Sequence, residues 1–196
     1  MSKVIVALSV SVDGYITGRD PRPGHGLGDG GQLFDWYFNG DTPSQVLDGF
    51  KLSEPSARVF DAAADRVSVT IAGRNTYEDS DGFDGGSPHA KTTLIVVSHR
   101  PVPQLSDRQH HATSIEDAIA KARELAGGKD ISLMGGGVTT AALAAGLVDE
   151  LVLHQIPVLL GGGRSFFQEL PAHIKLRVVE VVPAPGVTHL HYSVER

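Results

Sequence analysis

Apolar and polar positions alternate at the very start of the chain. Val4, Val6, Leu8, Val10 and Val12 fall on one side of an extended segment, and Ile5, Ala7, Ser9 and Ser11 on the other. That period predicts a strand with one strongly apolar face and one face of mostly small residues. A small-residue face marks a place where a helix or a ligand comes close. Val67, Val69 and Ile71 predict a second strand, closed by a turn over residues 73–78. Residues 93–97 predict a third, followed by Ser98-His99-Arg100-Pro101. Ser114 opens a predicted helix, with Ser114 and Asp117 at capping-box spacing and acids in the first turn. Ile115, Ala118, Ile119, Ala122 and Ala126 share one face of it, and Gly127-Gly128 stops it.

Residues 131–134 predict a strand that runs straight into Gly135-Gly136-Gly137, then a helix over 138–145 ending at Gly146. A strand over 147–160 carries Pro157 near its end and is followed by Gly161-Gly162-Gly163. Strands over 174–182 and 187–194 flank Pro183-Ala184-Pro185-Gly186, a hairpin signal. Strand–helix alternation with a terminal hairpin predicts an α/β fold: one mixed, mostly parallel sheet with helices on both faces. No repeat or linker interrupts it, so a single domain over 1–196 is expected.

Less regular segments lie between these elements. Residues 18–31 are rich in Gly and Pro and read as a flexible surface loop. Gly26-Leu27-Gly28-Asp29-Gly30-Gly31 matches the dinucleotide pattern G-x-G-x-x-G, but a Pro-rich loop precedes it and no apolar helix follows, so the match is discounted. Leu33, Phe34, Trp36, Tyr37 and Phe38 form an aromatic cluster, either core or the wall of a substrate pocket. Residues 44–64 are mixed, with Pro55 breaking any single long helix.

Composition narrows the function. The chain has 196 residues, 17 Lys and Arg against 23 Asp and Glu, and a formal net charge of -6. No cluster of basic residues offers itself to nucleic acid or to an anionic membrane surface. There are no cysteines, which excludes disulfides, thiol nucleophiles and Cys-based zinc sites. No uncharged apolar run is long enough to span a bilayer, and no signal-peptide pattern opens the chain, so a cytoplasmic location is expected. Nine histidines are present, yet H-E-x-x-H is not, and His189 with His191 on one strand face has no evident third ligand; no metal is expected. His110-His111 read as exposed loop residues. P-loop and G-x-S-x-G patterns are absent too.

The strongest chemical signal is Met134-Gly135-Gly136-Gly137-Val138-Thr139, three glycines between a strand end and a helix start. Such a turn lets backbone N–H groups approach an anion, helped by the helix dipole. It is either a phosphate site or merely a tight turn. Gly73-Arg74-Asn75-Thr76 and Ser98-His99-Arg100 also follow strands. If all three strands run parallel, these turns converge at the carboxyl edge of the sheet, where α/β folds bind ligands. Arg74 and Arg100 are then either solvated surface residues or a clamp on a phosphorylated nucleotide.

The order of these segments resembles the dihydrofolate reductase-like superfamily: Ser11-Val12-Asp13-Gly14-Tyr15-Ile16, then Ala72-Gly73-Arg74-Asn75-Thr76-Tyr77-Glu78. Gly135-Gly136-Gly137, then Gly146-Leu147-Val148-Asp149-Glu150-Leu151 and Pro157-Val158-Leu159-Leu160-Gly161, are similar to the carboxyl-terminal reductase domain of riboflavin biosynthesis. The likeness runs from residue 3 to residue 195. It implies an eight-stranded sheet of three-layer form, NADPH as cofactor, and hydride transfer to a small heterocyclic, ribityl or pterin-like substrate. The related activities are those of 5-amino-6-(5-phosphoribosylamino)uracil reductase and dihydrofolate reductase. It also implies a homodimer, which the apolar carboxyl-terminal strands would support. Gly73, Arg74, Asn75 and Thr76 match the first cofactor turn, and Ser98, His99 and Arg100 the turn near the 2′-phosphate. Gly135, Gly136, Gly137, Val138 and Thr139 match the pyrophosphate turn, and Ala7 joins the cofactor-binding set. Asp13 would face the nicotinamide and the substrate as the catalytic candidate, its alternative role being that of a turn residue. Asp149 and Glu150 are expected to be structural. The carboxylate that anchors a pteridine in dihydrofolate reductases has three possible counterparts, Asp35, Asp41 and Asp48. A nucleotide-binding module without reductase activity, or a sugar-phosphate enzyme using the same anion turns, are the competing readings.

Overall fold

A computed structural model describes residues 2–102 and 105–195. In chain order the elements are β1 (Val4–Ser11), a 3-10 helix (Gly31–Phe38), the short strands β2 (Thr42–Pro43) and β3 (Lys51–Leu52), α1 (Glu54–Asp65), β4 (Val67–Gly73) and α2 (Arg74–Asp79). A second 3-10 turn (Asp81–Gly85), β5 (Thr93–Val97), β6 (Gln109–Ala112), α3 (Ile115–Leu125), β7 (Asp130–Met134) and α4 (Gly136–Ala144) follow. β8 (Glu150–Ile156), β9 (Leu176–Ala184) and β10 (Val187–Val194) complete the fold.

Eight strands form one sheet in the order β6-β5-β4-β7-β1-β8-β10-β9. β6, β5, β4, β7, β1 and β8 pair in parallel, and β10 is antiparallel to both β8 and β9. Alternation along β1 divides the two faces as its sequence predicts. Val4, Val6 and Val10 join Val69, Ile71, Ile131 and Leu133 in a large core with the apolar stripes of α3 and α4. On the opposite face a smaller core of Leu33, Trp36, Leu52 and Phe60 binds the 3-10 helix and α1 to the far end of the sheet.

Ser114 caps α3 by accepting from the Asp117 N–H at 3.1 Å, and the predicted stripe of α3 is buried. Pro55 stands in the first turn of α1, where its missing N–H breaks no helical bond, so it starts that helix. Four expectations change. Residues 74–79 are a helix, α2, where the sequence reads as a turn. β8 is shorter than 147–160, because past Ile156 the chain turns away: Val12 N–H donates to the Val158 carbonyl at 3.0 Å, and Asp13 takes the next two amides. His110 and His111 lie in the edge strand β6, half-buried, with His111 Nε2 2.7 Å from the Ser98 carbonyl. Three polar residues and one alanine leave no alternation to read. Residues 18–31 are a loop closed tightly on itself: Gly28 has φ 56°, and a Cβ there would lie 1.9 Å from the Arg19 carbonyl oxygen. Among the described residues no helix is long and apolar enough to cross a membrane.

Charges tie the amino-terminal edge of the sheet together. Glu150 accepts from Lys3 Nζ at 2.5 Å and from Arg66 Nη1 at 3.1 Å, and lies 3.2 Å from His191 Nε2. Arg66 also holds Asp130 at 2.7 Å, and Asp149 accepts from the Val4 N–H at 2.9 Å. Partial burial pushes the Glu150 carboxyl up, but the hydrogen bonds and charges of Lys3 and Arg66 outweigh it and hold the group below its ordinary range. A carboxylate depressed in the folded state stabilises above its unfolded pKa, and that contribution is lost as pH falls through the folded value. Glu150→Gln is therefore expected to cost about 2 kcal/mol at neutral pH. Urea unfolding should show the gap between the two proteins shrinking below pH of about 4.

Candidate active site

A cavity of about 1230 Å³ opens on the small-residue face of the sheet. Its floor is made of Ile5, Ala7 and Ser9 on β1, Thr70 on β4, Ser132 on β7 and His154 on β8. Small side chains there cannot fill the space below α1 and the 3-10 helix, and the aromatic rings of Phe34, Tyr37, Phe50, Phe60 and Phe83 form walls around it. Leu33 and Trp36, from the same aromatic cluster as Phe34 and Tyr37, are core instead, and Phe38 is exposed. The cluster is thus divided between core and cavity wall. Burial pushes the Tyr37 phenol above its ordinary range, against a hydrogen bond with Ser9 that lowers it.

The cavity continues over the carboxyl edge of the parallel strands. β4, β5 and β7 run in one direction, and the turns that follow all reach it: residues 73–76, His99 and residues 135–138. The first turn of α4 lines the wall, and its N–H groups have no partner within a helix. The glycines there do distinct work. Gly135 has φ 109°, and a Cβ on it would stand 2.6 Å from Thr76 Oγ1. A Cβ on Gly136 would lie 2.7 Å from the Ser165 carbonyl oxygen and 2.8 Å from that of Phe166. Those bare backbones form a cradle of donors at a helix start, chemistry that suits a phosphate or pyrophosphate group. The start of α3, with Thr113 and Ser114 just before it and Glu116 in its first turn, also borders the cavity.

Arg74 lines the cavity with its guanidinium already oriented: Nε donates to Glu78 at 2.7 Å and Nη1 to the Pro101 carbonyl at 3.1 Å. Arg74 therefore ties the 98–101 turn to α2. In that turn only His99 reaches the cavity. Ser98 is buried and closes the turn, its hydroxyl donating to the Arg100 carbonyl at 2.8 Å and accepting from the Arg100 N–H at 3.1 Å, while Arg100 is exposed. Thr139 is fully buried and not on the cavity wall, since the helix has turned by the time it reaches that residue.

Asp13 does not line the cavity either. It is exposed, and its carboxylate accepts from the Ser11 hydroxyl at 2.6 Å, the Gly161 N–H at 2.7 Å and the Leu160 N–H at 3.1 Å. The Ser11 hydrogen bond first of all, with the two amides, holds this carboxyl below its ordinary range. Asp13 is the clasp between the β1 turn and the 157–163 loop. Asp35, Asp41 and Asp48 are exposed and none lines the cavity. The carboxylates that do are Asp79 and Glu116.

Sequence reasoning passed over three cavity groups. Asp79, buried at the end of α2, makes an ion pair with Arg164, joining α2 to the loop beyond β8. His154 sits in the middle of the apolar strand β8, a buried polar residue whose need for a partner was a legible signal. Glu116 was read only as a helix-start acid. Among the described residues, no group of three or more His, Asp or Glu is placed to hold a metal ion.

A mostly parallel α/β sheet with three strand-end turns gathered at its carboxyl edge, above an aromatic-walled cavity, defines a reductase-type, dihydrofolate reductase-like fold. The chain belongs to the RibD C-terminal domain family, whose family model matches residues 2–190. It is 26% identical over 196 residues to the uncharacterised protein YwjB of Bacillus subtilis (strain 168), covering 97% of both chains. A crystal structure of a protein from Shewanella sp. PV-4, provisionally assigned to riboflavin biosynthesis, superimposes with a TM-score of 0.71 at 26% identity, over 100% of both chains. Dihydrofolate reductase from Enterococcus faecalis, complexed with NADP(H) and RAB-propyl, superimposes with a TM-score of 0.60 at 16% identity. That alignment covers 99% of this chain and 97% of the other.

The glycine cradle makes a paired prediction. Gly136→Ala forces a methyl group against two carbonyl oxygens and is expected to lower stability by about 2 kcal/mol. Gly137→Ala is expected to be nearly neutral, because its Cβ would meet nothing nearer than Gln168 Nε2 at 4.0 Å. Denaturant unfolding of the two variants side by side measures the difference.

Proposed function

We propose that this protein is an NADPH-dependent reductase acting on a small, flat heterocyclic substrate. The observation that carries the reading is one continuous cavity joining the glycine cradle at the start of α4 to the aromatic-walled floor over Ala7 and Ser9. Its volume exceeds the roughly 300–1,000 Å³ usual for one small ligand, which suits a dinucleotide together with an acceptor. The first turn of α4 would hold the pyrophosphate, and Gly73, Arg74, Asn75 and Thr76 the adjoining phosphates. Arg74, with the exposed Arg100 in the next turn, supplies the positive edge expected for a 2′-phosphate, and His99 lies beside it on the cavity wall. When bound, the reduced nicotinamide supplies a hydride. The protein positions the acceptor among Phe34, Tyr37 and Phe60 and excludes water around it.

The family relationship and the fold shared with an NADP(H)-binding dihydrofolate reductase support this reading. The wall differs in one respect that bears on the substrate: no carboxylate of the 3-10 helix reaches the cavity. The cavity's carboxylates are instead Asp79, ion-paired with Arg164, and Glu116 in the first turn of α3. A homodimer is part of the same proposal. β9 is an edge strand whose Val178 and Val181 are 57% and 52% exposed, an apolar surface of the kind a second subunit covers. Val178→Glu with Val181→Glu is expected to shift the protein to monomer in sedimentation velocity.

Trp36 reports on the site, since its ring stacks on Tyr37 at 4.0 Å and Tyr37 lines the cavity. Titration followed by Trp36 fluorescence and calorimetry should show NADPH binding more tightly than NADH. Arg74→Ala should weaken NADPH at least tenfold, while Asp13→Asn leaves it within about twofold. Binding of NADPH with no oxidation of it by any pterin or pyrimidine-type acceptor would favour a nucleotide-binding module. No binding of either cofactor would sink the reductase reading.

A further inference from the structure

A reduction consumes a proton as well as a hydride, and one buried polar group on the cavity floor is unused so far. His154 is 2% exposed and lines the cavity. Antiparallel pairing sets it directly opposite His189, and their Nδ1 atoms are 2.8 Å apart. His189 Nε2 lies 2.9 Å from Ser56 Oγ, and the Ser53 hydroxyl donates to Ser56 Oγ at 3.0 Å. Ser56 and His189 are buried; Ser53, at the start of α1, is half-buried. Four side chains from α1, β8 and β10 thus make one unbroken chain of hydrogen bonds from the surface to the cavity.

The chain has a direction. Ser53 occupies the N-cap position of α1 yet its hydroxyl makes no capping bond; it is directed to Ser56 instead. Because Ser56 accepts from Ser53, its own proton points to His189 Nε2. His189 must then carry its hydrogen on Nδ1, where it donates to His154 Nδ1, and this leaves the His154 hydrogen on Nε2. Burial pushes His154 down to about 3, with His189 adding to the effect. Burial also pushes His189 down to about 4, with the Arg58 charge on α1 contributing; Arg58 is itself 3.4 Å from Glu180 on β9. Both rings are neutral at physiological pH, so each has one donor and one acceptor. Trp36 packs against both, at ring-centroid distances of 4.7 and 5.1 Å.

We propose that Ser53, Ser56, His189 and His154 form a proton relay from solvent to the cavity, with His154 presenting the proton to the acceptor. Its use there rests on the reductase reading. As hydride enters the carbon of a C=N or C=O group, the π electron pair moves to the heteroatom, which takes the Nε2 proton of His154. His154 Nδ1 takes the Nδ1 proton of His189, His189 Nε2 takes the Ser56 proton, Ser56 takes that of Ser53, and Ser53 takes one from water. Each ring gains a proton as it releases one, so no buried charge forms.

Long-range proton–nitrogen NMR of the 15N-histidine-labelled protein tests the direction without any substrate. Between pH 5.5 and 8, His154 is expected as the neutral Nε2–H form and His189 as the neutral Nδ1–H form. Deuterium exchange at His189 Nδ1–H is expected to slow at least tenfold in Ser56→Ala and in Ser53→Ala, with melting temperatures recorded alongside. A purely structural pair would exchange within twofold of the native rate in both variants, which overturns the relay. The opposite tautomers, or a cationic ring in that pH range, overturn it from the native protein alone. NADPH titration of the same sample separates the two proposals: expected tautomers and exchange without NADPH binding would support the relay and count against the reductase reading only.

Discussion

The unequal filling of the two sheet faces is the constraint on which the rest of the molecule depends. Close packing demands that facing side chains fill the space between layers. Valine, isoleucine and leucine do so against α3 and α4, and that side is solid core. On the other side Ala7, Ser9, Thr70 and Ser132 are too short to fill the space below the layer above them; Ser9 alone of these bonds to it, accepting from the Trp36 indole at 2.9 Å, and Trp36, Phe60 and Leu52 pack that layer down farther along the sheet. The cavity is what remains. Its aromatic walls follow from the same geometry, since the layer above the small residues presents Phe34, Tyr37 and Phe60 to the gap.

Parallel strand direction supplies the second half of the site. Because β4, β5 and β7 all end at one edge, the turns after them converge without any long-range specification beyond strand pairing. Their exact approach is then set by contacts between loops. Gly136 admits the backbone of residues 165–166, Arg164 reaches Asp79 on α2, and Asp13 draws the 157–163 loop toward β1. Residues chosen as chemical candidates from their motifs prove to do architectural work, and the loop that they hold brings Arg164 and Ser165 to the cavity. Asp13 is the clearest case: its exposed carboxylate lies off the cavity wall and already accepts from three donors.

Polar groups inside the protein fall into two kinds with different consequences. At the amino-terminal edge, Glu150, Arg66, Lys3 and Asp130 satisfy one another, so they tie β7 and β8 to the chain just before β1 and β4. Beside the cavity, His154 and His189 are kept neutral by burial, and their hydrogen bonds impose an order of donors rather than a charge. The first kind belongs to stability. The second stands where chemistry would occur.

Elements with strong periodicity were legible: β1, the capped helix α3, β7 running into its glycines, and the terminal hairpin. Local chemistry suffices for these, because alternation, caps and turn residues act over a few positions. The mostly parallel sheet and the likeness to the RibD family could likewise be read from the chain. Element ends and weak elements could not: β6 pairs through backbone with no apolar pattern, α2 is one short helix that starts directly after β4, and β8 ends where Asp13 captures amides of the following loop. The cavity's membership was decided by the tertiary structure alone. Whether Asp13, Ser98, Arg100 or Thr139 faces a ligand depends on side-chain direction and on partners more than a hundred residues away in one case, and the same holds for Asp79 meeting Arg164 or His154 meeting His189. Sequence determines which residues can form such pairs; only the folded packing, which brings distant strands and loops into register, determines which of them do.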